Sequence, residues 1–393
     1  MGEFEKENAF VLLVARGTLS KEEKIKFEDL LSADLDWDYV LAQLKRHKLL
    51  PLFTNYLHSC RIATSLENII NDIKNSSNGR IVRSRILDME LGLLAKSLEA
   101  KNITYAVLKG PVLAHTIYGS PDKRTYADLD ILVKKSELDI VTDIIQGHGY
   151  IQGEFDQDKQ NIVPTPRKNV VGCSIYLHQL YPFRKIIDQD LYTVEVQTDF
   201  FPQYRKTGTS QHTFDIDLSA TSECWQTLSL VEINGTLIST LNWKYFLLQL
   251  CLHAYTDEMS ISSIVAAQKS GYQHGSRLRA YCDVRELIKE KIYQINLEEF
   301  VNLVQQTKTN KPIYYILSNL TKIYPDSLEK IEYILDKIHP INLSFMNEFG
   351  NYWETINHER GKFSQSFLQR LFNNSFEEDY EKQKYLFSPI VWT

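Results

Sequence analysis

The chain has 393 residues, of which 43% are hydrophobic and 24% are charged, and its formal net charge is −6 at pH 7. This length predicts two or three domains, with ample material for a hydrophobic core. The acidic balance argues against a dedicated nucleic-acid-binding protein, and no apolar run approaches the roughly 20 residues that cross a bilayer.

The cysteines and the N-terminal sequence both favour a cytoplasmic protein. The five cysteines are scattered, odd in number and form no Cys-x-x-Cys pair. Thiols in a reducing compartment are therefore expected, rather than a zinc site or a disulfide framework. The first ten residues, MGEFEKENAF, contain neither a basic segment followed by an apolar one nor a myristoylation signal. We therefore expect no secretory leader and no N-myristoyl group.

Residues 1–100 predict a helical N-terminal region. The segment SKEEKIKFEDLL begins at Ser20, and Glu23 three residues later completes a capping box. The following segment, DWDYVLAQLKRHKLLPLFTNYLHSC, predicts two helices broken at Pro51. Residues 78–103 then predict one long amphipathic helix. Its inward side chains are expected to be Ile81, Ile86, Leu87, Leu91, Leu94 and Leu98. Three basic side chains near its start are interpreted as a solvated face: Arg80, Arg83 and Arg85.

Residues 101–240 predict a compact core, because helical spacing gives way to short apolar runs. TYAVLKG and ADLDILVKK predict strands, and PVLAHTIYG and SELDIVTDIIQGHGY predict the helices that follow them. SIYLHQLYPF and LYTVEVQTDFF alternate like two further strands. Residues 241–393 return to helical spacing, with EMSISSIVAAQKSGYQHG as a mobile loop. The predicted fold class is therefore α+β: a small mixed β-sheet core between two helical regions.

Two carboxylates, Asp128 and Asp130, are separated by one leucine in a segment that otherwise looks like a buried strand. Because a strand alternates sides at every residue, both carboxylates point to the same face. Carboxylates held so close repel each other unless a proton or a cation lies between them. A hard divalent cation such as Mg²⁺ (or Mn²⁺) binds one or two carboxylates together with substrate phosphates. The pair therefore predicts a metal site for chemistry at phosphorus.

The residues ahead of this pair could bind the phosphates. Lys109 and Gly110 end the first predicted strand, and Pro111 opens the next helix, a position that suits proline. The N–H groups at a helix start favour an anion, a glycine allows close approach, and Lys109 adds a positive charge. Arg124 could complete the contact with a bidentate guanidinium, although pairing with Asp128 is an equal alternative.

The third acid is expected on the strand LYTVEVQTDFF. Glu195, Gln197 and Asp199 share one face of this strand, opposite the two valines. Glu195 is the first choice because it lies in the middle of the strand, and Asp199, at the strand end, is the second. A P-loop, a dinucleotide fingerprint, a kinase signature and a hydrolase nucleophile elbow are all missing from the sequence.

The chain resembles the polymerase-β-like nucleotidyltransferase superfamily in the order of its elements and motifs. This order is a strand, Lys-Gly, a helix, Arg-x-x-x-Asp-x-Asp, a strand, a helix and an acid on a later strand. Within it, the chain is similar to the bacterial family labelled uncharacterised nucleotidyltransferase, which has Lys-Gly where most of the superfamily has Gly-Ser. The segments DWDYVLAQLKRHKLLPLF and LLQLCLHAY…RLRAYCDVREL are also similar to that family. The resemblance implies a metal-dependent enzyme that transfers a nucleotide and releases pyrophosphate.

The resemblance also implies roles for individual residues. Asp128 and Asp130 would be metal ligands, Glu195 the third acid and metal ligand, and Lys109 and Gly110 nucleotide contacts. This sequence departs from the family at Gln197, where a histidine is usual two residues after the third acid. A neutral amide keeps a hydrogen bond but does not titrate near neutrality. The departure bears on the acceptor more than on the reaction type.

Gln197 is itself a candidate for substrate contact, and three further side chains are as well. His178 lies on a predicted strand near the core, and a structural role is its alternative. Arg279 and Asp283 lie on a helix that the family places beside the active site, although an exposed salt-bridged helix face is equally consistent. His253 and Asp257, one helical turn apart, imitate a metal pair but have no third ligand nearby and are interpreted as structural.

The leading hypothesis is a Mg²⁺-dependent nucleotidyltransferase that moves a nucleoside monophosphate, with AMP favoured, from a triphosphate such as ATP to a hydroxyl or phosphate of a small-molecule acceptor. One alternative is a related toxin-like enzyme that acts on protein or tRNA, although the acidic charge disfavours tRNA. Another is a non-catalytic nucleotide-binding or antitoxin-like protein on the same fold. The sequence does not predict the oligomeric state.

Overall fold

The structure is a computed structural model that describes residues 4–57, 67–176, 179–200, 218–259, 277–326, 329–350, 359–373 and 375–386. His178 and most of the predicted mobile loop lie outside the described residues. The contacts of the chain divide it into two compact units. A helical unit contains residues 1–74, 213–217 and 250–393, and a sheet unit contains residues 75–212 and 218–249.

The described helices are α1 Glu5–Val14, α2 Lys21–Leu31, α3 Trp37–Arg46, α4 Leu50–Leu57, α5 Glu67–Ala100, α6 Gly110–Thr116, α7 Leu138–Gly147, α8 Arg167–Tyr176, α9 Trp243–Met259, α10 Leu278–Lys291, α11 Leu297–Gln306, α12 Asn310–Ile323, α13 Glu329–Lys337, α14 Phe367–Phe372 and α15 Ser375–Gln383. The described strands are β1 Tyr105–Leu108, β2 Asp128–Val133, β3 Ile151–Asp156, β4 Asn161–Pro164, β5 Phe183–Ile187, β6 Asp190–Gln197, β7 Ser229–Ile233, β8 Thr236–Thr240, β9 Glu348–Phe349 and β10 Gly361–Lys362. No helix in the described ranges is long and apolar enough to span a membrane.

The helical unit begins as the sequence predicts, with one correction. The Ser20 side chain accepts a hydrogen bond from the Glu23 N–H, and the Glu23 carboxylate accepts one from the Ser20 N–H, which confirms the capping box. The break between α3 and α4 lies before Pro51 rather than at it, around Lys48, whose φ is +57°. Pro51 instead occupies the first turn of α4, where its missing N–H costs no helical hydrogen bond.

The sheet unit is built on a mixed sheet in the order β4-β3-β5-β6-β2-β1-β8-β7. β2 pairs with β6 and β1 with β8 in parallel, and the other neighbours are antiparallel. The predicted α+β class is confirmed, but the sheet is larger than the small one predicted. Its outer strands include IQGEFD and NIVP, short polar segments that pair at an edge without strong alternation.

The prediction of a strand over SIYLHQLYPF is wrong for its first residues. Helix α8 extends to Tyr176, and β5 begins only at Phe183. In the helix sequence NVVGCSIY, the apolar or small residues VVGC stand directly before SIY. The alternation in SIYLH is therefore too short to distinguish a strand from the end of a helix.

The long helix α5 packs one face on the sheet unit. Leu87, Leu91, Leu94 and Leu98 are buried as predicted, whereas Ile81 and Ile86 are partly exposed. Arg80 and Arg85 are exposed, but the interpretation of Arg83 as a solvated side chain is wrong. Its guanidinium donates to the Leu191 carbonyl oxygen and lies 5.1 Å from the centre of the Tyr192 ring. Arg83 therefore ties the helix to β6.

The described cysteines fit the predicted thiols. Cys173, Cys224, Cys251 and Cys282 form no disulfide, and Cys60 lies outside the described residues.

Candidate active site

The acidic pair lies at the start of β2, a central strand of the sheet. Leu129, Ile131 and Val133 are completely buried on one face. Asp128 and Asp130 point to the other face, where Asp128 is exposed and Asp130 is only 3% exposed. The apolar face therefore anchors the strand, and the strand alternation places two carboxylates side by side at its beginning.

Glu195 lies directly beside Asp130 in the sheet. β2 and β6 run in parallel, and the register pairs Asp130 with Glu195 and Leu129 with Val194. Side chains of paired residues therefore point to the same face of the sheet: the valines of β6 are buried on one face, and Glu195 lies with Asp130 on the other. Burial raises the pKa of Glu195 to about 7, and the negative charges of Asp130 and Asp128 contribute to that rise. The three carboxylates thus form one electrostatic cluster.

The Lys109 ammonium forms an ion pair with this cluster. Its Nζ lies 2.9 Å from Asp130 Oδ1, and both side chains are largely buried. Burial alone would lower the pKa of Lys109, but the charges of Asp130, Asp128 and Glu195 outweigh it and raise that pKa. Lys109 is therefore a firmly charged cation, placed where β1 ends next to β2.

Gln197 provides a second hydrogen bond to the same carboxylate oxygen. Its Nε2 donates to Asp130 Oδ1 at 2.9 Å. Gln197 lies two residues after Glu195, on the same face of β6. This amide therefore helps to hold Asp130 in place.

The turn after β1 has a backbone that few residues adopt. Lys109 has φ +51° and precedes α6, which is only seven residues long. A Cβ at residue 110 would lie 2.8 Å from the Cβ of Tyr126, which is too close for two carbon atoms. Because a Cβ moves only with its backbone, a side-chain rotation would not remove this clash. Glycine is therefore required here by packing against the loop that leads into β2.

That loop is held by buried polar contacts that sequence reasoning missed. The Tyr126 hydroxyl donates to the Asp88 carboxylate, which also lies 2.9 Å from His115 Nε2. Ser84 Oγ accepts from the Tyr126 N–H and donates to the Tyr126 carbonyl oxygen, at 2.9 Å each. Asp88 and Ser84 lie on α5, far from the site in sequence, and no motif spacing connects them with Tyr126. They fix the loop that packs against Gly110.

Arg124 lies on the same loop and is 7% exposed. Its Nη1 donates to the Thr125 carbonyl oxygen at 3.2 Å, so part of the guanidinium holds the loop backbone. Its role as a phosphate contact stays a prediction.

A second cation on the acidic face, Arg184, was also missed by sequence reasoning. Arg184 pairs with Thr193 in the β5–β6 ladder and so shares the face of Glu195. Its charge lowers the pKa of Glu195, against the larger effect of burial, and its Nη1 lies 3.1 Å from the exposed Glu154 carboxylate. The acidic cluster therefore lies between Lys109 on one side and Arg184 on the other.

Asp199, the second choice for the third acid, has different surroundings. Burial raises the pKa of Asp199 to about 7, and its Oδ1 accepts a hydrogen bond from the Phe200 N–H at 2.8 Å. The charge of Asp199 raises the pKa of the buried Cys224, whereas the charges of Asp130 and Asp128 raise the pKa of Glu195. The arrangement therefore favours Glu195 as the third acid.

The raised pKa of Asp199 predicts a pH-dependent stability. Because its folded pKa of about 7 exceeds the usual 3.8, its contribution to stability is present below pH 4 and is lost as the pH rises through 7. Asp199→Asn keeps the acceptor for Phe200 and cannot ionise. We expect this variant to melt at a higher temperature than the wild type at pH 8, with a smaller difference at pH 5, as measured by circular dichroism. A difference that is equal at both pH values would contradict the assignment.

The remaining candidate residues lie in the helical unit. Arg279 and the 3% exposed Asp283 lie on α10 of the helical unit, and their role as substrate contacts stays a prediction. His253 and Asp257 form an i,i+4 pair with 3.4 Å between Nε2 and Oδ2, in keeping with the structural interpretation.

The donor set of the acidic cluster fits a hard divalent cation, which prefers carboxylate oxygens. As arranged here, however, no group of three or more His, Cys, Asp or Glu side chains within the described ranges could hold a metal ion. Asp130 is instead engaged by Lys109 and Gln197. Asp128, Asp130 and Glu195 would therefore be the residues that hold a metal, and a metal that binds Oδ1 of Asp130 would have to replace Lys109 or Gln197 there.

Acids on adjacent strands supply the kind of ligands that hold divalent metal ions in enzymes that transfer groups at phosphorus. The chain belongs to a nucleotidyltransferase family: residues 33–325 match the family described as uncharacterised nucleotidyltransferase, which confirms the predicted membership. The protein is therefore a nucleotidyltransferase, an enzyme that uses a nucleoside triphosphate as substrate, and enzymes of this kind generally use a divalent metal ion.

No curated protein matches the chain. Among solved structures, the chain is similar to an antigenic nucleotidyltransferase-like protein from Paracoccidioides brasiliensis, at 15% identity and a TM-score of 0.31. The match covers 64% of this chain and 94% of that chain.

Proposed function

We propose that the protein is a Mg²⁺-dependent enzyme that transfers AMP from ATP to a hydroxyl or phosphate of a small-molecule acceptor and releases pyrophosphate. We further propose that its sheet unit is a core of the polymerase-β-like type. The single observation that carries this proposal is the pairing of Asp130 with Glu195 on adjacent parallel strands, with Asp128 on the same face.

The side chains divide into a metal-holding group and a phosphate-binding group. Asp128, Asp130 and Glu195 supply carboxylate oxygens from two strands whose other faces are buried, so their backbone positions are rigid. Lys109 supplies the positive charge that would contact the triphosphate, next to the turn at Gly110. When bound, a divalent metal would stabilise the negative charge that develops on the attacking and leaving oxygens.

The arrangement supports two roles for Glu195. It would ligate a metal ion together with Asp130, or it would accept the proton of the acceptor hydroxyl. Arg184 lies on the β5 side of Glu195, away from Lys109, so the acceptor would approach from this side if the triphosphate lies over Lys109.

A small-molecule acceptor is favoured by the charge of the chain. A formal net charge of −6 disfavours tRNA, whose phosphates would normally be bound by a basic surface. A protein acceptor is the toxin-like alternative.

The test is a screen for pyrophosphate release with each of the four nucleoside triphosphates, Mg²⁺ and a metabolite extract. We expect release with ATP that requires both Mg²⁺ and the extract. Parallel reactions with bulk tRNA and with protein would test the toxin-like alternative. A protein that binds nucleotide without divalent metal and releases pyrophosphate in none of these reactions would contradict the proposal and favour a non-catalytic nucleotide-binding or antitoxin-like role.

A further inference from the structure

The Asp130 carboxylate already has a positively charged partner within the protein. Lys109 Nζ and Gln197 Nε2 both lie 2.9 Å from the same oxygen, Oδ1. A carboxylate oxygen has two lone-pair directions, so these two donors use the acceptor capacity of Oδ1. A metal ion that is to bind this oxygen must therefore displace one of them.

Lys109 is the donor that electrostatics selects for displacement. Its ammonium carries a full positive charge, and a divalent cation at the same oxygen would be repelled by it. Gln197 is neutral, so it has no comparable conflict with a metal. The Lys109–Asp130 ion pair is therefore the contact that a metal ion at Oδ1 would disrupt.

Lys109 also has the freedom to change partners. A lysine is a point charge on a flexible four-carbon stem, so its ammonium can move between anions without the planar matching that arginine requires. Its backbone is fixed at the end of β1, next to Gly110 and the Tyr126 loop. The side chain can therefore turn from Asp130 to a phosphate while its Cα stays in place.

We propose that Lys109 couples metal binding to triphosphate binding: its ammonium holds Asp130 in the nucleotide-free enzyme and releases it to the metal when a triphosphate takes over the ammonium. This inference rests on the proposed function and adds to it the order in which the site fills. The metal alone would bind weakly, and metal and triphosphate would each strengthen the binding of the other by the same factor.

The experiment measures binding, independently of turnover. Mn²⁺ affinity is determined by electron paramagnetic resonance for the wild type and for Lys109→Met, each with and without an ATP analogue whose α,β-bridge is a methylene group. For the wild type we expect at least a tenfold gain in Mn²⁺ affinity with the analogue, after correction for Mn²⁺ bound to the analogue in solution. Lys109→Met is expected to bind Mn²⁺ at least tenfold more tightly than the wild type without the analogue, and to show little further gain with it.

Two matched variants separate this effect from a general change in charge. Lys135→Met removes an exposed lysine beyond the end of β2 and should leave Mn²⁺ affinity unchanged. Lys109→Arg keeps the positive charge and should retain the weak Mn²⁺ binding of the wild type. Circular dichroism checks the fold of each variant, and Lys109→Gln replaces Lys109→Met if the latter does not fold.

The outcomes distinguish this inference from the proposed function. If the wild type binds Mn²⁺ and the analogue and releases pyrophosphate, but Lys109→Met binds Mn²⁺ no more tightly than the wild type, the role of Lys109 is refuted and the proposed function stands. The role of Lys109 is likewise refuted if Lys109→Arg binds Mn²⁺ as tightly as Lys109→Met. If no form binds Mn²⁺ or the analogue and none releases pyrophosphate, the proposed function and this inference both fail.

Discussion

The double substitution Asp128→Asn with Asp130→Asn is expected to lower the rate of pyrophosphate release by about 10³-fold or more. The reason is that amides are poor ligands for a divalent metal and leave developing charge on the phosphate oxygens uncompensated. A loss of this size corresponds to about 4 kcal/mol of transition-state stabilisation. The fold should survive, because asparagine has the shape of aspartate and its carbonyl oxygen can still accept from Lys109 and Gln197.

The matched control is Asp139→Asn with Asp143→Asn. Both residues are exposed on α7, so this variant has the same change in net charge away from the acidic cluster. It should retain the activity of the wild type. Near-full activity of the Asp128 and Asp130 variant, in a pure preparation with an unchanged circular dichroism spectrum, would refute the site.

The second large effect concerns stability and involves Glu258 in the helical unit. Glu258 is 4% exposed and accepts hydrogen bonds from the hydroxyls of Tyr281 and Tyr315, at 2.7 and 2.6 Å. Burial, and next the negative charge of Glu258, raise the pKa of both tyrosines, so both hydroxyls remain donors. The Arg370 guanidinium, itself buried, lies 3.9 Å from the Glu258 carboxylate and donates to the Tyr315 hydroxyl at 3.0 Å.

Glu258→Ala is therefore expected to lower the free energy of unfolding by about 3–5 kcal/mol, because it leaves the buried charge of Arg370 without its counter-ion and two buried hydroxyls without their acceptor. Urea unfolding followed by circular dichroism measures the change. Glu290→Ala, an exposed position on α10, is the control and should change stability by no more than about 0.5 kcal/mol. A loss below about 1 kcal/mol for Glu258→Ala would show that the network does not stabilise the protein.

The elements around the acidic pair were predictable because their signals are local. A buried strand with period-two alternation places Asp128 and Asp130 on one face whatever lies next to it, and the same holds for Glu195 on β6. The Lys-Gly-Pro sequence likewise marks the end of β1 and the start of α6. Errors occurred where the local signal is short or shared by two structures, as at the end of α8 and in the outer strands.

Contacts between distant segments were not predictable from a single sequence. Arg83 has the sequence context of a solvated helix residue, yet it donates to a carbonyl oxygen of β6. Asp88, His115 and Tyr126 belong to no recognisable motif. Only the tertiary structure places α5 beside both α6, which carries His115, and the Tyr126 loop. Arg184 joins the acidic face only because β5 pairs with β6 in one particular register.

The amino-acid sequence by itself determined which carboxylates share a face, where the turn before α6 lies and to which enzyme family the chain belongs, since each follows from residues close together or from a pattern along the chain. Tertiary structure decided that β2 and β6 are parallel neighbours with Asp130 beside Glu195, and that Lys109 binds Asp130. The physical reason is that strand order and register depend on how distant apolar faces are buried together. No short stretch of sequence contains that information.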